Sequence, residues 1–279
     1  MNGLIGNTPM IKIKYQYQNK QYEVYTKLEY YNLTGSIKDR MADYILKQAY
    51  KKGILKEGMP IIEATSGNTG ISFSSLGCIY HNPVYIFMPD WCSIERKKLM
   101  ESFGATVFLV SKEEGGFQEC IKRADELSLK LNGFRPNQFS NPDNKKAHIT
   151  STALEIIKSV PDVSAFVSGI GTGGTLMGIG TALKEKNPLM KIIALEPKQM
   201  ALLSGSTMLQ NHQIEGIGDD FIPELVDKNS LDEVLTIDDK DAVNMARCLG
   251  KKLGLGVGIS SGANFLAACL YQINHECRI

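Results

Sequence analysis

The chain has 279 residues, 43% hydrophobic and 22% charged, which suits one large or two modest globular domains with real cores. Its 31 basic and 30 acidic residues leave a net charge of +1, so nothing electrostatic speaks for a nucleic-acid partner. The six cysteines (Cys78, Cys92, Cys120, Cys248, Cys269 and Cys277) lack C-x-x-C or zinc-like spacing, and residues 1–9 lack a signal peptide's basic flank and apolar run, so reduced thiols, no metal site and a cytoplasmic location are expected.

Ile5-Gly-Asn-Thr-Pro9 is turn chemistry, residues 10–13 alternate like a strand, 16–21 read as a hairpin tip and 24–29 as a second strand. The stretch from Lys27 to Arg40 then reads as a strand end, a turn at 32–35 and a helix start capped by Ser36. That places Lys38 in the first helical turn, where its ammonium opposes the positive end of the helix dipole. A structural lysine gains little there, so Lys38 is a candidate reactive amine, with a solvated surface lysine as the plain alternative.

Met41, Ala42, Ile45, Leu46 and Ala49 recur at helical spacing, and Gly53 ends that helix. Strands are then expected at 60–64, 84–88, 106–110, 165–168 and 191–195. Helices are expected at 68–81, 93–103, 116–131, 144–160, 175–186, 239–253 and 262–271. This alternation predicts an α/β fold of two domains, each with a mostly parallel twisted sheet flanked by helices. Residues 134–144, with two prolines and three asparagines, break the rhythm and read as a crossing between domains. The uncharged run 253–271 holds four glycines, two serines and an asparagine, too polar and broken for a membrane-spanning helix.

Three loops between a strand and a helix could hold an anion. Ser168-Gly-Ile-Gly-Thr-Gly-Gly-Thr175 lets backbone amides and a helix start approach a phosphate. Gly169, Gly171 and Gly174 also match G-x-G-x-x-G, with Glu196 at a following strand end, so a Rossmann NAD-dependent dehydrogenase is a rival reading. Glu63-Ala-Thr-Ser-Gly-Asn-Thr-Gly70 carries more hydroxyls and amides than one cap needs and could surround a carboxylate. Gly256-Val-Gly-Ile-Ser-Ser-Gly-Ala263 is a weaker signal of the same type. Two anion loops and one lysine at a helix start suggest a cofactor with both a phosphate and an aldehyde.

Taken together, I-G-N-T-P at 5–9, N-L-T-G-S-I-K-D-R at 32–40, T-S-G-N-T-G at 65–70, Q-F-S-N-P at 138–142, G-T-G-G-T at 171–175, E-G-I-G at 215–218 and S-S-G-A at 260–263 resemble the cysteine synthase and cystathionine β-synthase family. These are pyridoxal 5'-phosphate enzymes of fold type II, the tryptophan synthase β-like fold. The resemblance covers nearly the whole chain. It implies that Lys38 holds the cofactor as an imine, that Gly171, Thr172, Gly173, Gly174 and Thr175 cradle its phosphate, and that Asn68 meets the ring hydroxyl. Thr65, Ser66, Thr69 and Gln138 would bind the substrate carboxylate. It further implies a larger phosphate-binding domain of residues 1–32 and 141–279 and a smaller one of 33–140, whose part 93–131 closes on substrate. A homodimer is expected, with a small amino acid and sulfide, a thiol or water as partners, and no membrane.

The implied chemistry is β-replacement or elimination on a β-substituted L-amino acid through an aminoacrylate, with Lys38 as base and then acid. Cysteine synthesis from O-acetyl-L-serine and sulfide is the first expectation. Release of hydrogen sulfide from L-cysteine with formation of serine, and cystathionine β-synthase-type thiol exchange, are the alternatives. Leu33 stands where the family has proline, a change of turn stiffness. Asp219 and Asp220 follow G-I-G where cysteine synthases carry small residues. A carboxylate there would repel hydrosulfide yet could deprotonate water or a thiol, and two surface aspartates at a turn are the plain alternative. Relatives also continue past the S-S-G-A helix into a further strand, so an exposed sheet edge or an incomplete core is expected near Ile279. No residue is assigned to the pyridine nitrogen, and a shortened inactive homologue remains a third class.

Overall fold

The computed structural model describes residues 3–207 and 209–279. The chain opens on an antiparallel hairpin of β1 (Met10–Tyr17) and β2 (Lys20–Lys27), in register from Met10 opposite Lys27 to Tyr17 opposite Lys20. Its two-residue turn puts Gln18 and Asn19 both at positive φ, 46° and 63°, the twist that joins two strands tightly. Two compact units follow from the Cα packing: residues 7–28 with 145–279, and residues 1–6 with 29–144.

In the unit of residues 29–144, α1 (Lys38–Lys51) precedes β3 (Ile61–Ala64), α2 (Asn68–Ile79), β4 (Val84–Pro89), α3 (Ile94–Ser102), β5 (Thr106–Val110) and α4 (Gly116–Leu131). The strands form a parallel sheet in the order β3-β4-β5. On α1, Met41, Ala42, Ile45, Leu46 and Ala49 are all buried, as their helical spacing requires. All four residues of β3 are buried, Glu63 included. The outer edge of β3 is taken by Phe134, which accepts from Ile62 N–H at 2.9 Å and donates to Pro60 O at 2.7 Å. The irregular stretch 134–144 therefore begins as a strand-like rim on this sheet, and the unit's boundary falls at 144/145.

After α5 (Pro142–Ala147), the expected single helix is interrupted by a π turn, His148–Thr152, before α6 (Ala153–Ser159). Then come β6 (Ala165–Gly169), α7 (Gly174–Lys186), β7 (Lys191–Pro197), β8 (Glu233–Ile237), α8 (Asp239–Leu253) and α9 (Ile259–His275). The parallel order is β6-β7-β8, with the central β7 buried at every residue but Lys191. A core of Leu176, Ile179, Leu183, Ile192 and Ala153 fills one region of this unit, and Ile13, Val24, Ile193, Phe265 and Ile279 fill another.

β6 is an edge strand of the sheet β6-β7-β8, and the last residues of the chain reach only its start. Arg278 O accepts from Ser164 N–H at 2.9 Å and from Ala165 N–H at 3.1 Å, while Ile279 O accepts from Tyr25 N–H at 2.8 Å. The last residues thus satisfy donors of β6 and β2, and the Ile279 side chain is buried in the core beside them. No helix of the described residues is long and apolar enough to cross a membrane, and none of the six cysteines, all among the described residues, is in a disulfide.

Candidate active site

Lys38 is the first residue of α1 and is half-buried. Ser36 does not occupy the N-cap, which falls to Ile37, but its Oγ accepts from Lys38 N–H at 3.2 Å and so caps from one position earlier. The neighbouring Asp39 is wholly buried. Its Oδ2 accepts from Thr34 N–H at 2.7 Å, and its Oδ1 accepts from the hydroxyls of Thr34 at 2.5 Å and Ser72 at 2.6 Å. The turn before Lys38 is thereby stapled both to α1 and to α2.

Arg40 completes the local frame. Its Nε and Nη2 donate to the two Glu29 oxygens at 2.6 and 2.9 Å, and its side chain is 1% exposed. Asn32 donates to Glu29 Oε2 at 2.8 Å and accepts from Gly6 N–H at 2.8 Å, which joins the first glycine turn to the lysine motif. A buried guanidinium with both carboxylate oxygens satisfied is costly to break and geometrically specific. Nothing in the sequence singled out Glu29 for this.

The loop 65–70 lies between β3 and α2. Gly67 N–H donates to Thr65 Oγ1 at 3.0 Å, and Arg96 Nη1 donates to Ser66 O at 3.2 Å. Thr69 Oγ1 donates to Gln138 Oε1 at 2.6 Å, and Gln138 Nε2 donates to Ala64 O at 2.9 Å. Thr65, Thr69 and Gln138 are therefore gathered and buried, Ser66 is half-buried, and Asn68, the first residue of α2, is exposed. Behind them Glu63 accepts from Arg135 Nη1 at 2.5 Å and from Gln138 N–H at 3.2 Å. Burial opposes the charge of Arg135, but Glu63 and Asp125 outweigh it and raise its pKa above the usual value.

The other unit holds the glycine loop. A Cβ on Gly171 would stand 2.4 Å from Gly216 O, and one on Gly173, at φ +82°, would stand 2.5 Å from Val226 Cγ2. Only glycine fits at either position, and Gly173 is the N-cap of α7. Thr172 Oγ1 accepts from Gly174 N–H at 3.3 Å. The loop is a backbone cradle at the start of a 13-residue helix, a form that suits a phosphate.

The E-G-I-G segment packs against it. Gly218 N–H donates to Ile170 O at 2.8 Å, and His212 Nε2 donates to Gly218 O at 2.7 Å. Beyond Gly218 the two aspartates part. Asp219 lines a small open pocket together with Gly171, Glu196 and Phe221, whereas Asp220 is exposed and does not line it. Glu196, the acid a dinucleotide fingerprint would use for a ribose, is instead fully engaged. It accepts from Leu203 N–H at 2.8 Å, Ser204 N–H at 2.9 Å and Ser204 Oγ at 2.6 Å. The third loop leads into α9, whose Asn264 accepts from Gly169 N–H at 2.8 Å and donates to Ser260 O at 2.7 Å. Asn264 thereby ties the start of α9 to the strand end that precedes the glycine loop.

Comparisons with known proteins bear on the chain as a whole. A family model described as pyridoxal-phosphate dependent enzyme matches residues 1–278. A cysteine synthase from Flavobacterium sp. is 41% identical over 256 residues, covering 91% of this chain and 82% of that protein. A solved hydrogen sulfide-producing enzyme from Fusobacterium nucleatum is 49% identical with a TM-score of 0.94, covering 98% of this chain and 83% of that one. A solved cysteine synthase from Entamoeba histolytica is 40% identical with a TM-score of 0.88, covering 95% and 79%.

Proposed function

Because the chain belongs to the family of pyridoxal-phosphate dependent enzymes, we propose that it catalyses β-replacement on a small β-substituted L-amino acid, as a cysteine synthase converting O-acetyl-L-serine and sulfide to L-cysteine. What supports this is a loop at 171–175 where only glycine fits at 171 and 173, and, in the other unit, a lysine, Lys38, held at the start of α1.

The bound cofactor supplies an electron sink for the pair left when a substrate α-proton departs. The protein's part is to bind, orient and move that proton. The Gly171 and Gly173 backbones, Thr172, Gly174 and Thr175 hold the phosphate where α7's dipole favours negative charge. Asn68, the first residue of α2, would meet the ring hydroxyl. The amides of Ser66 and Thr69 and the hydroxyls of Thr65 and Ser66 take the substrate carboxylate. Gln138, by accepting the Thr69 hydroxyl proton at 2.6 Å, fixes which way that side chain faces. Lys38 Nζ removes the proton at the α-carbon and returns it after the nucleophile has added. Residues 93–131, which include α3 and α4, move toward the carboxylate loop when substrate binds. The enzyme acts as a homodimer.

A second reading has its own support. Asp219 lines the same pocket as Gly171, and the Fusobacterium neighbour is named a hydrogen sulfide-producing enzyme. A carboxylate there disfavours incoming hydrosulfide and can activate water, which would turn the same machinery toward releasing sulfide from L-cysteine with formation of serine. Supplying O-acetylserine with sulfide, and cysteine alone, separates the two. Dominant cysteine formation supports the synthase, dominant sulfide and serine support the lyase, and no turnover of either contradicts both. If Asp219→Gly leaves the ratio of cysteine to serine unchanged, the carboxylate does not set the outcome.

A further inference from the structure

His148 opens the π turn after α5 and is only 1% exposed. A π turn inside an α-helix is rare and is found frequently at functional sites. Here it aims an imidazole at two hydroxyls. His148 Nδ1 lies 3.0 Å from Thr152 Oγ1, and Nε2 lies 3.3 Å from Thr175 Oγ1, in the phosphate cradle. The packing that holds it is tight, because a Cβ on Gly178 would meet Lys145 O at 2.4 Å and His148 Cβ at 2.9 Å.

We propose that His148 is a positioning residue: its Nε2–H donates to Thr175 Oγ1 and so commits the threonine's one hydroxyl proton to the cofactor phosphate. The proposal rests on reading 171–175 as the phosphate cradle. A hydroxyl has one proton and two lone pairs, whereas a phosphate dianion only accepts. If Thr175 gives its proton to the phosphate, it can show His148 only a lone pair, so Nε2 must carry the ring proton. The neutral ring then has its lone pair at Nδ1, and Thr152 Oγ1–H fills it. All donors point one way, from Thr152 through His148 and Thr175 to the phosphate. The other tautomer would draw the Thr175 proton back toward the ring, away from the anion. Such donor directions are settled by the network that surrounds the ring.

Long-range ¹⁵N–¹H correlation of the holoenzyme at neutral pH reads the tautomer directly, and four histidines make assignment by single substitution practical. The Nε2–H form of His148 is expected, and the Nδ1–H form overturns the proposal whatever any variant does. Isosteric replacements give a second reading. A glutamine amide nitrogen reaches the Nε2 position, while an asparagine amide reaches only Nδ1. His148→Gln should keep pyridoxal phosphate affinity within about threefold, and His148→Asn should weaken it about ten- to a hundredfold. Binding of pyridoxal, which lacks the phosphate, should be unchanged in both. Equal weakening for pyridoxal and its phosphate, or equal losses in the two variants, would show mere structural support and overturn the proposal. Thr175→Val is the control. If it binds the phosphate ester as tightly as the parent, the cradle reading has failed and the proposal with it. If it weakens binding while His148→Asn does not, the role of His148 alone has failed.

Discussion

Ser72 Oγ donates to Asp39 Oδ1 at 2.6 Å, and both side chains are wholly buried. This bond ties the first turn of α1, which carries Lys38, to the second turn of α2, whose start carries the carboxylate loop. Lys38 is therefore aimed by the residue next to it, which reaches in one direction to Thr34 and in the other to Ser72.

Asp39→Ala removes the acceptor shared by Thr34 N–H, Thr34 Oγ1 and Ser72 Oγ. Buried donors left unsatisfied make a loss of about 2–4 kcal/mol the expected outcome. Urea denaturation measures it, and a loss below about 1 kcal/mol would mean that water or neighbouring groups replace the carboxylate.

The glycine loop at 171–175 gives a sharper contrast. Gly171→Ala places a methyl 2.4 Å from Gly216 O, whereas Gly256→Ala has nothing within 4 Å of its new carbon. The first should weaken pyridoxal phosphate binding at least about tenfold by forcing the cradle open, and the second should leave it unchanged. Equilibrium dialysis of the cofactor checks both, and equal affinities would remove Gly171 from the cradle.

Much of this was legible in the sequence because it depends on short-range pattern. The α1 face, the parallel alternation and the glycine loop follow from periodicity and from residues that only turns tolerate. What stayed hidden depends on partners far along the chain. Glu29 looks like an ordinary strand-end acid until Arg40 and Asn32 surround it. The short strand β8, Glu233–Ile237, is only half-buried and shows little alternation, so its place beside β7 is set by packing. The π turn at His148 has no residue signature, and a helix-period reading ran straight through it. Residues 278–279 carry no strand pattern, yet their carbonyls satisfy β2 and β6. Asp219 and Asp220 were equivalent in the sequence, and only the pocket distinguishes them.

Asp232 links the start of β7 to the approach of β8. Burial alone would raise its pKa, but Ile192 N–H, Lys184 and Lys191 outweigh that and lower it from 3.8 to about 2. A depressed carboxylate stabilises the fold above its unfolded pKa and loses that contribution as pH falls through the folded one. The stability gap between the parent and Asp232→Asn should therefore be constant above about pH 5 and close between about pH 4 and pH 2. Urea midpoints across that range test it, and a gap that widens on acidification would contradict the assignment.

Thiol chemistry should divide by environment. Burial pushes Cys120 and Cys269 up to about 12, while Cys78 and Cys248 are exposed. At neutral pH iodoacetamide should label Cys78 and Cys248 first and leave Cys120 and Cys269 unmodified until the protein unfolds. Mass spectrometry of timed digests checks this order, and early labelling of Cys269 would reveal opening around α9.

The most direct test of the account is where the cofactor is attached. Borohydride reduction of the yellow holoenzyme, followed by peptide mapping, should find the pyridoxyl group on Lys38 alone, and Lys38→Ala should lose the visible band. A pyridoxyl group on another lysine, or a band that survives Lys38→Ala, would contradict it.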